Sequence, residues 1–172
     1  MKIFLIGYMG SGKTTVGKLL SEKAHIPFVD LDEEIIKNTG QSITDIFKLY
    51  GEEFFRHKES EVLYKITSTH ESFIMSTGGG TPCFLQNMDW MLEHGKVVWL
   101  YASIQIVYER IETNPHRPLI AGMSGSLLKK FIRQHLHERR PFYKRAHFTV
   151  RSGVDPLKVA KRINKKLKSN RH

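Results

Sequence analysis

The segment "GYMGSGKTTVGK", Gly7 to Lys18, follows directly on the apolar run "KIFLI" at residues 2–6. A short buried strand that feeds a glycine-dense loop and then a helical pattern leaves few folds open. Gly7, Gly10 and Gly12 let the backbone turn tightly and present successive N–H groups to one point. The helix expected from about Lys13 to Ala24 aims its positive dipole end at the same point. Gly7, Gly12, Lys13 and Thr14 match G-x-x-x-x-G-K-[ST], a loop that cradles phosphates. In that pattern the lysine reaches the β and γ phosphates, and the threonine hydroxyl takes a place on Mg²⁺. Gly10, Ser11, Gly12, Lys13, Thr14 and Thr15 are therefore expected to bind a nucleoside triphosphate.

The rest of the chain continues the alternation. Apolar strands are expected at "IPFVD" (26–30), "SFIMS" (72–76), "KVVWLYA" (96–102) and "HFTV" (147–150). Helical patterns open near Asp32, at the capping-box-like "SITD" (42–45), at Pro82, at Ser103 and at Ser126. The second of these carries a break at Gly51, and the last is expected to stop before Pro141. Residues 113–125 read as a long loop. Strands apolar on both sides, alternating with helices, predict a parallel sheet covered on both faces. Ligands of such sheets bind beyond the carboxyl ends of the strands, so the polar residues in those loops carry the information.

Composition excludes several function classes. The 172 residues suit one domain, able to bury a core without disulfides. The single Cys83 rules out an internal disulfide and fits a reducing compartment. The first apolar run is too short for a signal peptide, and no run reaches the length of a membrane span. The expectation is a cytoplasmic monomer with no membrane partner. A net charge of +10 raises the question of a polyanion. Seven of those cations lie between Leu157 and His172 with no acid among them, leaving +3 for residues 1–156. There Leu157, Ala160, Ile163 and Leu167 recur at helical spacing, so the lysines form the solvated face of a last helix. No aromatic residues interleave with them, and nucleic acid is not the expected partner.

A phosphate held in such a loop is either hydrolysed to drive a switch or transferred to an acceptor. The base-reading N-K-x-D and the D-x-x-G of GTP switches are both missing. Instead, polar groups gather at the strand ends: "DLD" (30–32), "FFRHKE" (54–59), "STGGG" (76–80), "HRPL" (116–119) and "ERRPFY" (138–143). Three arginine-bearing segments and a run of glycines exceed what one triphosphate needs. They fit a second, anionic molecule.

In this order and spacing, these motifs resemble shikimate kinase over essentially the whole chain, and the combination "DLD … FFR … STGGG" is the specific part. The resemblance implies a three-layer α/β/α P-loop NTPase fold, nucleoside-monophosphate-kinase-like, with a five-stranded parallel sheet and a mobile lid at about 113–125. It implies one domain over residues 1–172, with an acceptor-binding region at about 31–61. The implied reaction is ATP- and Mg²⁺-dependent phosphorylation of the shikimate 3-hydroxyl, on the route to chorismate and the aromatic amino acids. By the same resemblance Asp32 binds the acceptor hydroxyls and takes the proton, a role compatible with capping its helix. Asp30 and Thr14 lie at the metal, with Ser76 near it. Arg56 clamps the substrate carboxylate and is held by Glu59, on a helix that the pair Phe54-Phe55 turns inward. Gly78, Gly79 and Gly80 receive the acceptor ring. Lys13 and the lid residue Arg117 stabilise the transferring phosphoryl group, and Arg139, with Arg140 as its neighbour and alternative, is a second acceptor clamp. Arg110 stacks on the adenine, and Arg151 or Ser152 takes the remaining adenine-side place. Within the same class a gluconate kinase is the alternative. Outside it, the alternative is a nucleotide-gated protein whose basic helix meets a partner.

Overall fold

The computed structural model describes residues 1–113, 122–153 and 155–169. Five strands form one parallel sheet: β1 (Lys2–Ile6), β2 (Phe28–Asp30), β3 (Phe73–Ser76), β4 (Lys96–Tyr101) and β5 (Phe148–Arg151). Their order across the sheet is β2-β3-β1-β4-β5. Lys2 pairs with Phe73 on one side of β1, and Ile3 pairs with Lys96 on the other. The phosphate-loop strand is thus central, and the loops after β1, β2 and β3 leave the same end of the sheet side by side.

Side chains of successive strand residues point to opposite faces, and β1 divides accordingly. Ile3 and Leu5 pack with Val16 and Leu20 of α1 (Lys13–Ala24) and with Val159, Ala160 and Ile163 of α7 (Pro156–Ser169). Phe4 and Ile6 enter the larger core on the other face. That core is closed by α2 (Leu31–Thr39), α3 (Ile43–Thr69), α4 (Asn87–His94), α5 (Ile104–Glu112) and α6 (Gly125–Tyr143). The result is the three-layer arrangement the sequence predicts. Among the described residues, no helix is long and apolar enough to cross a membrane.

Three local details differ from the sequence reading. Asp30, not Asp32, caps α2: its carboxylate accepts from the Asp32 backbone N–H at 3.1 Å. Pro82 opens only a single 3₁₀ turn, Thr81–Cys83, before α4. Helix α6 runs through Pro141 to Tyr143. A proline two residues from a helix end deprives one carbonyl of its donor, a small loss against burying Tyr143 completely. The expected break at Gly51 is present: its φ of 82° and ψ of 175° divide α3 into two helical pieces.

Candidate active site

The loop after β1 owes its shape to its glycines. Gly7, Gly10 and Gly12 have φ of 143°, 75° and 90°, values that favour glycine. Gly7 also has no room for a side chain, since a Cβ there would sit 2.5 Å from the Leu100 carbonyl oxygen on β4. Gly12 starts α1 without a side-chain cap, and no acidic residue occupies the first turn. The helix end therefore offers its amides and positive dipole to an anion. Lys13 is buried, and its ammonium donates to the carbonyls of Gly7 (2.8 Å) and Tyr8 (3.0 Å). The buried Ser11 hydroxyl has no hydrogen-bond partner among the described residues.

A cavity of about 430 Å³ opens over this loop. Its floor is Gly10 to Thr15; its walls include Asp30, Asp32, Ser76, Gly78 and Gly79 on one side and Arg110, Ser152 and Gly153 on the other. Thr14 stands between two loops: its hydroxyl donates to Asp30 Oδ2 at 2.9 Å and lies 3.3 Å from Ser76 Oγ. The strand register makes this meeting possible, because Asp30 pairs with Ser76 across β2 and β3. Three oxygen-bearing side chains converge there, a donor set suited to a small hard cation that keeps some of its waters. Asp32 is half-buried across from the glycine run; a Cβ on Gly78 would lie 3.5 Å from its Oδ1.

Arg56 is the most constrained side chain on the far side. Its Nη1 donates to Glu59 Oε2 at 2.9 Å, while Nε and Nη2 both reach Glu52 Oε1, at 3.1 and 2.9 Å. The guanidinium lies 4.0 Å from the centre of the Phe84 ring and 5.0 Å from that of Phe55. Gly80 lets it approach the backbone, for a Cβ there would fall 2.6 Å from Nη2. Three of its five N–H donors are engaged by these acids. Glu59 is fully buried and also accepts from the Thr81 hydroxyl at 2.6 Å. Burial pushes its carboxyl up from the ordinary range, while Arg56 and Thr81 pull it back. Only one of the two phenylalanines turns inward: Phe55 is buried and Phe54 exposed.

Helix α6 turns its adjacent arginines in different directions. Arg139 is buried, with its Nη1 3.2 Å from the position of a Cβ on Gly79 and its guanidinium 5.6 Å from the Tyr8 ring centre. Arg140 points away, into a separate hollow beside Trp99 and Tyr101. Tyr143, one turn beyond Arg139, donates its hydroxyl to the Gly79 carbonyl at 2.6 Å. Cys83, near Arg56 and Arg139, has its thiol pushed up to about 11, chiefly by burial. It is a quiet packed thiol.

On the other rim Arg110 donates to the Gly10 carbonyl at 2.8 Å and lines the cavity. Arg151 does not line it. Val150 is the buried residue at the end of β5, and the exposed Arg151 borders a hollow beside α7 with Arg162 and Lys166. Ser152 and Gly153 line the cavity in its place, and the Ser152 hydroxyl donates to the Tyr101 carbonyl at 3.2 Å. Arg117 lies outside the described residues. Sequence reasoning missed Glu52, Thr81, Tyr8 and His135. The first carried a signal, since it stands four residues before Arg56 on one helical face. Thr81 and His135 had none, because their partners are distant in sequence.

The shikimate kinase family model matches residues 9–168. A shikimate kinase of Azobacteroides pseudotrichonymphae is 46% identical over 146 residues, which is 84% of this chain and 86% of that protein. The 1.7 Å crystal structure of shikimate kinase from Bacteroides thetaiotaomicron superposes with a TM-score of 0.92 at 34% identity, covering 98% of both chains. Shikimate kinase from Acinetobacter baumannii, solved in complex with shikimate, gives 0.91 at 34% identity over 99% of this chain and 94% of that one. Sequence and fold agree across nearly the full length, and the chain belongs to the shikimate kinase family.

Proposed function

We propose that this protein transfers the γ-phosphoryl group of ATP to the 3-hydroxyl of shikimate, giving shikimate 3-phosphate and ADP, on the route to chorismate and the aromatic amino acids. The observation that carries the reading is the two-sided cavity. A phosphate loop forms one side, a carboxylate and a glycine run face it from the other, and the buried Arg139 and Arg56 pack against Gly79 and Gly80 at the end of that run. A switch protein has no use for the second side.

Placement of the described residues supports the following roles. The amides of Gly10 to Thr15 and the Lys13 ammonium hold the triphosphate, with Arg110 and the Ser152–Gly153 turn towards the nucleoside end. Arg56 keeps two N–H donors for the acceptor carboxylate, and its stack against Phe84 fixes the plane of the fork. Arg139 approaches the acceptor across Gly79. Asp32 orients the 3-hydroxyl and accepts its proton as the oxygen bonds to phosphorus and the bond to the β-phosphate oxygen breaks. Lys13 meets the charge that builds on the transferring group. Thr14 and Asp30, with Ser76 beside them, fit Mg²⁺; when bound, the ion neutralises phosphate charge. Arg117, which lies outside the described residues, is the further cation that the family resemblance assigns to the transferring group. The same reading makes the protein a cytoplasmic monomer that binds neither nucleic acid nor membrane. In support, Val159, Ala160, Ile163 and Leu167 bury one face of α7, while Lys158, Lys161, Arg162 and Lys165 lie on the exposed one.

The test is ADP release with Mg·ATP alone, with shikimate, and with gluconate or quinate. Release should depend on shikimate, and Asp32→Asn should lower it about 10²–10⁴-fold while ATP titrations stay unchanged. Equal rates with gluconate, or none with shikimate, overturn the assignment.

A further inference from the structure

Helix α6 touches the site in three successive turns, and only two of them belong to the machinery above. Arg139 faces the acceptor side and Tyr143 holds the Gly79 carbonyl. One turn earlier on the same stripe, His135 Nδ1 lies 3.0 Å from the Tyr8 hydroxyl. The two rings meet edge to face, 5.6 Å apart at 89°, and Phe131 packs against the imidazole at 5.0 Å. Tyr8 is a residue of the phosphate loop itself, and its side chain is buried. It bears on both halves of the reaction: its carbonyl accepts from the Lys13 ammonium, and its ring lies beneath the Arg139 guanidinium.

We propose that the Tyr8–His135 hydrogen bond is a positioning contact that sets the phosphate loop at a fixed distance from the acceptor clamp on α6. Tyr8 and His135 are 127 residues apart in sequence, and the bond ties the first loop of the chain to the helix that carries Arg139. In-line transfer depends on the separation of donor and acceptor more than on the affinity for either alone. Loosening this bond therefore leaves each ligand its own contacts and degrades their alignment. The imidazole is suited to a permanent contact. Burial, reinforced by Arg139, lowers its pKa to about 4, so the ring is neutral at the pH of the reaction.

The inference rests on the cavity being a phosphoryl-transfer site, and the experiment separates the two. Wild-type turnover on shikimate tests the parent reading. Tyr8→Phe, His135→Leu and their combination test this one, with kcat and separate ATP and shikimate titrations as readouts. Each single change should lower kcat about tenfold, with both binary affinities within about twofold of wild type. The double variant should be no slower than the slower single one, because both changes delete the same bond. His135→Asn, which presents a polar group near the place of Nδ1, should restore most of kcat. Unchanged kcat in Tyr8→Phe, losses that multiply in the double variant, or binary affinities that fall in step with kcat each overturn the proposal. Tyr8→Phe removes a single oxygen, so the test stands even where His135→Leu fails to fold.

Discussion

Lys13→Met should yield a folded protein whose shikimate-dependent ADP release is lower by at least about 10²–10³-fold, the cost of removing one donor aimed at transition-state charge. Methionine preserves the apolar stem, and the position is buried at the edge of the loop rather than within either core cluster. The contacts surrendered include those to the Gly7 and Tyr8 carbonyls, worth about 1.5–3 kcal/mol apiece for a charged donor and offset in part by removing a buried charge. A modest drop in melting temperature beside a collapse in rate is the expected pair of readings. A folded variant with wild-type turnover would remove Lys13, and the phosphate loop with it, from the chemistry.

Arg56→Ala should abolish useful shikimate affinity while leaving ATP affinity nearly unchanged. Leaving a carboxylate unpaired in a closed site costs about 2–5 kcal/mol, a rise in Kd of about 30-fold or more. A second effect accompanies it, because Glu59 is fully buried and loses its guanidinium partner. Its carboxyl already lies above the ordinary range, and without Arg56 it rises further. A carboxyl whose folded pKa is raised stabilises the protein below its unfolded pKa, and that stability is lost as pH rises through the folded value. The variant should therefore be most destabilised, relative to wild type, at neutral and alkaline pH. Adding Glu59→Gln should recover stability without recovering shikimate binding, which separates the two effects. Arg56→Lys should rescue binding poorly, since an ammonium cannot reproduce a fork already shared with two acids. Titrations of each ligand, with denaturation at several pH values, decide the matter. Intact shikimate binding beside weakened ATP binding would reverse the assignment of the two sides.

What was legible in the sequence is what depends on neighbours along the chain. Strand–loop–helix spacing located the phosphate loop because its glycines, Lys13 and Thr14 act within one turn of each other. Arg56 and Glu59 share a helical face three residues apart, and their pairing could be read directly. The different burial of Arg139 and Arg140 was also present, in the phase of α6. Leu128, Ile132, Arg139 and Tyr143 form the buried stripe, and Arg140 falls outside it. Arg151 and Ser152 stayed alternatives because a four-residue edge strand gives alternation too little length to fix where its inward side chains stop. The cap of α2 moved from Asp32 to Asp30 because both are good capping residues and the strand end, not the spacing, sets where the helix begins. Contacts such as Thr81 with Glu59 or Tyr8 with His135 cross large stretches of chain. They become visible only once the sheet order has brought α3, α6 and the first loop together.

The central place of β1 has a consequence for the order in which the molecule can be made. Its neighbours are β3, about 70 residues later, and β4, about 95 residues later, so the first strand of the chain gains its second partner only after more than half of the polypeptide exists. The loop that follows it inherits the delay, because Gly7 takes its place against the Leu100 carbonyl at the far end of β4. Non-local pairing of this kind is reached slowly, as chain closure must precede any gain from contact. Synthesis runs from the amino end, domains forming as segments emerge, yet here the motif written first must wait for more than half of the chain. A nascent chain ending before Leu100 carries every residue of "GYMGSGKTTVGK" without the wall that shapes it.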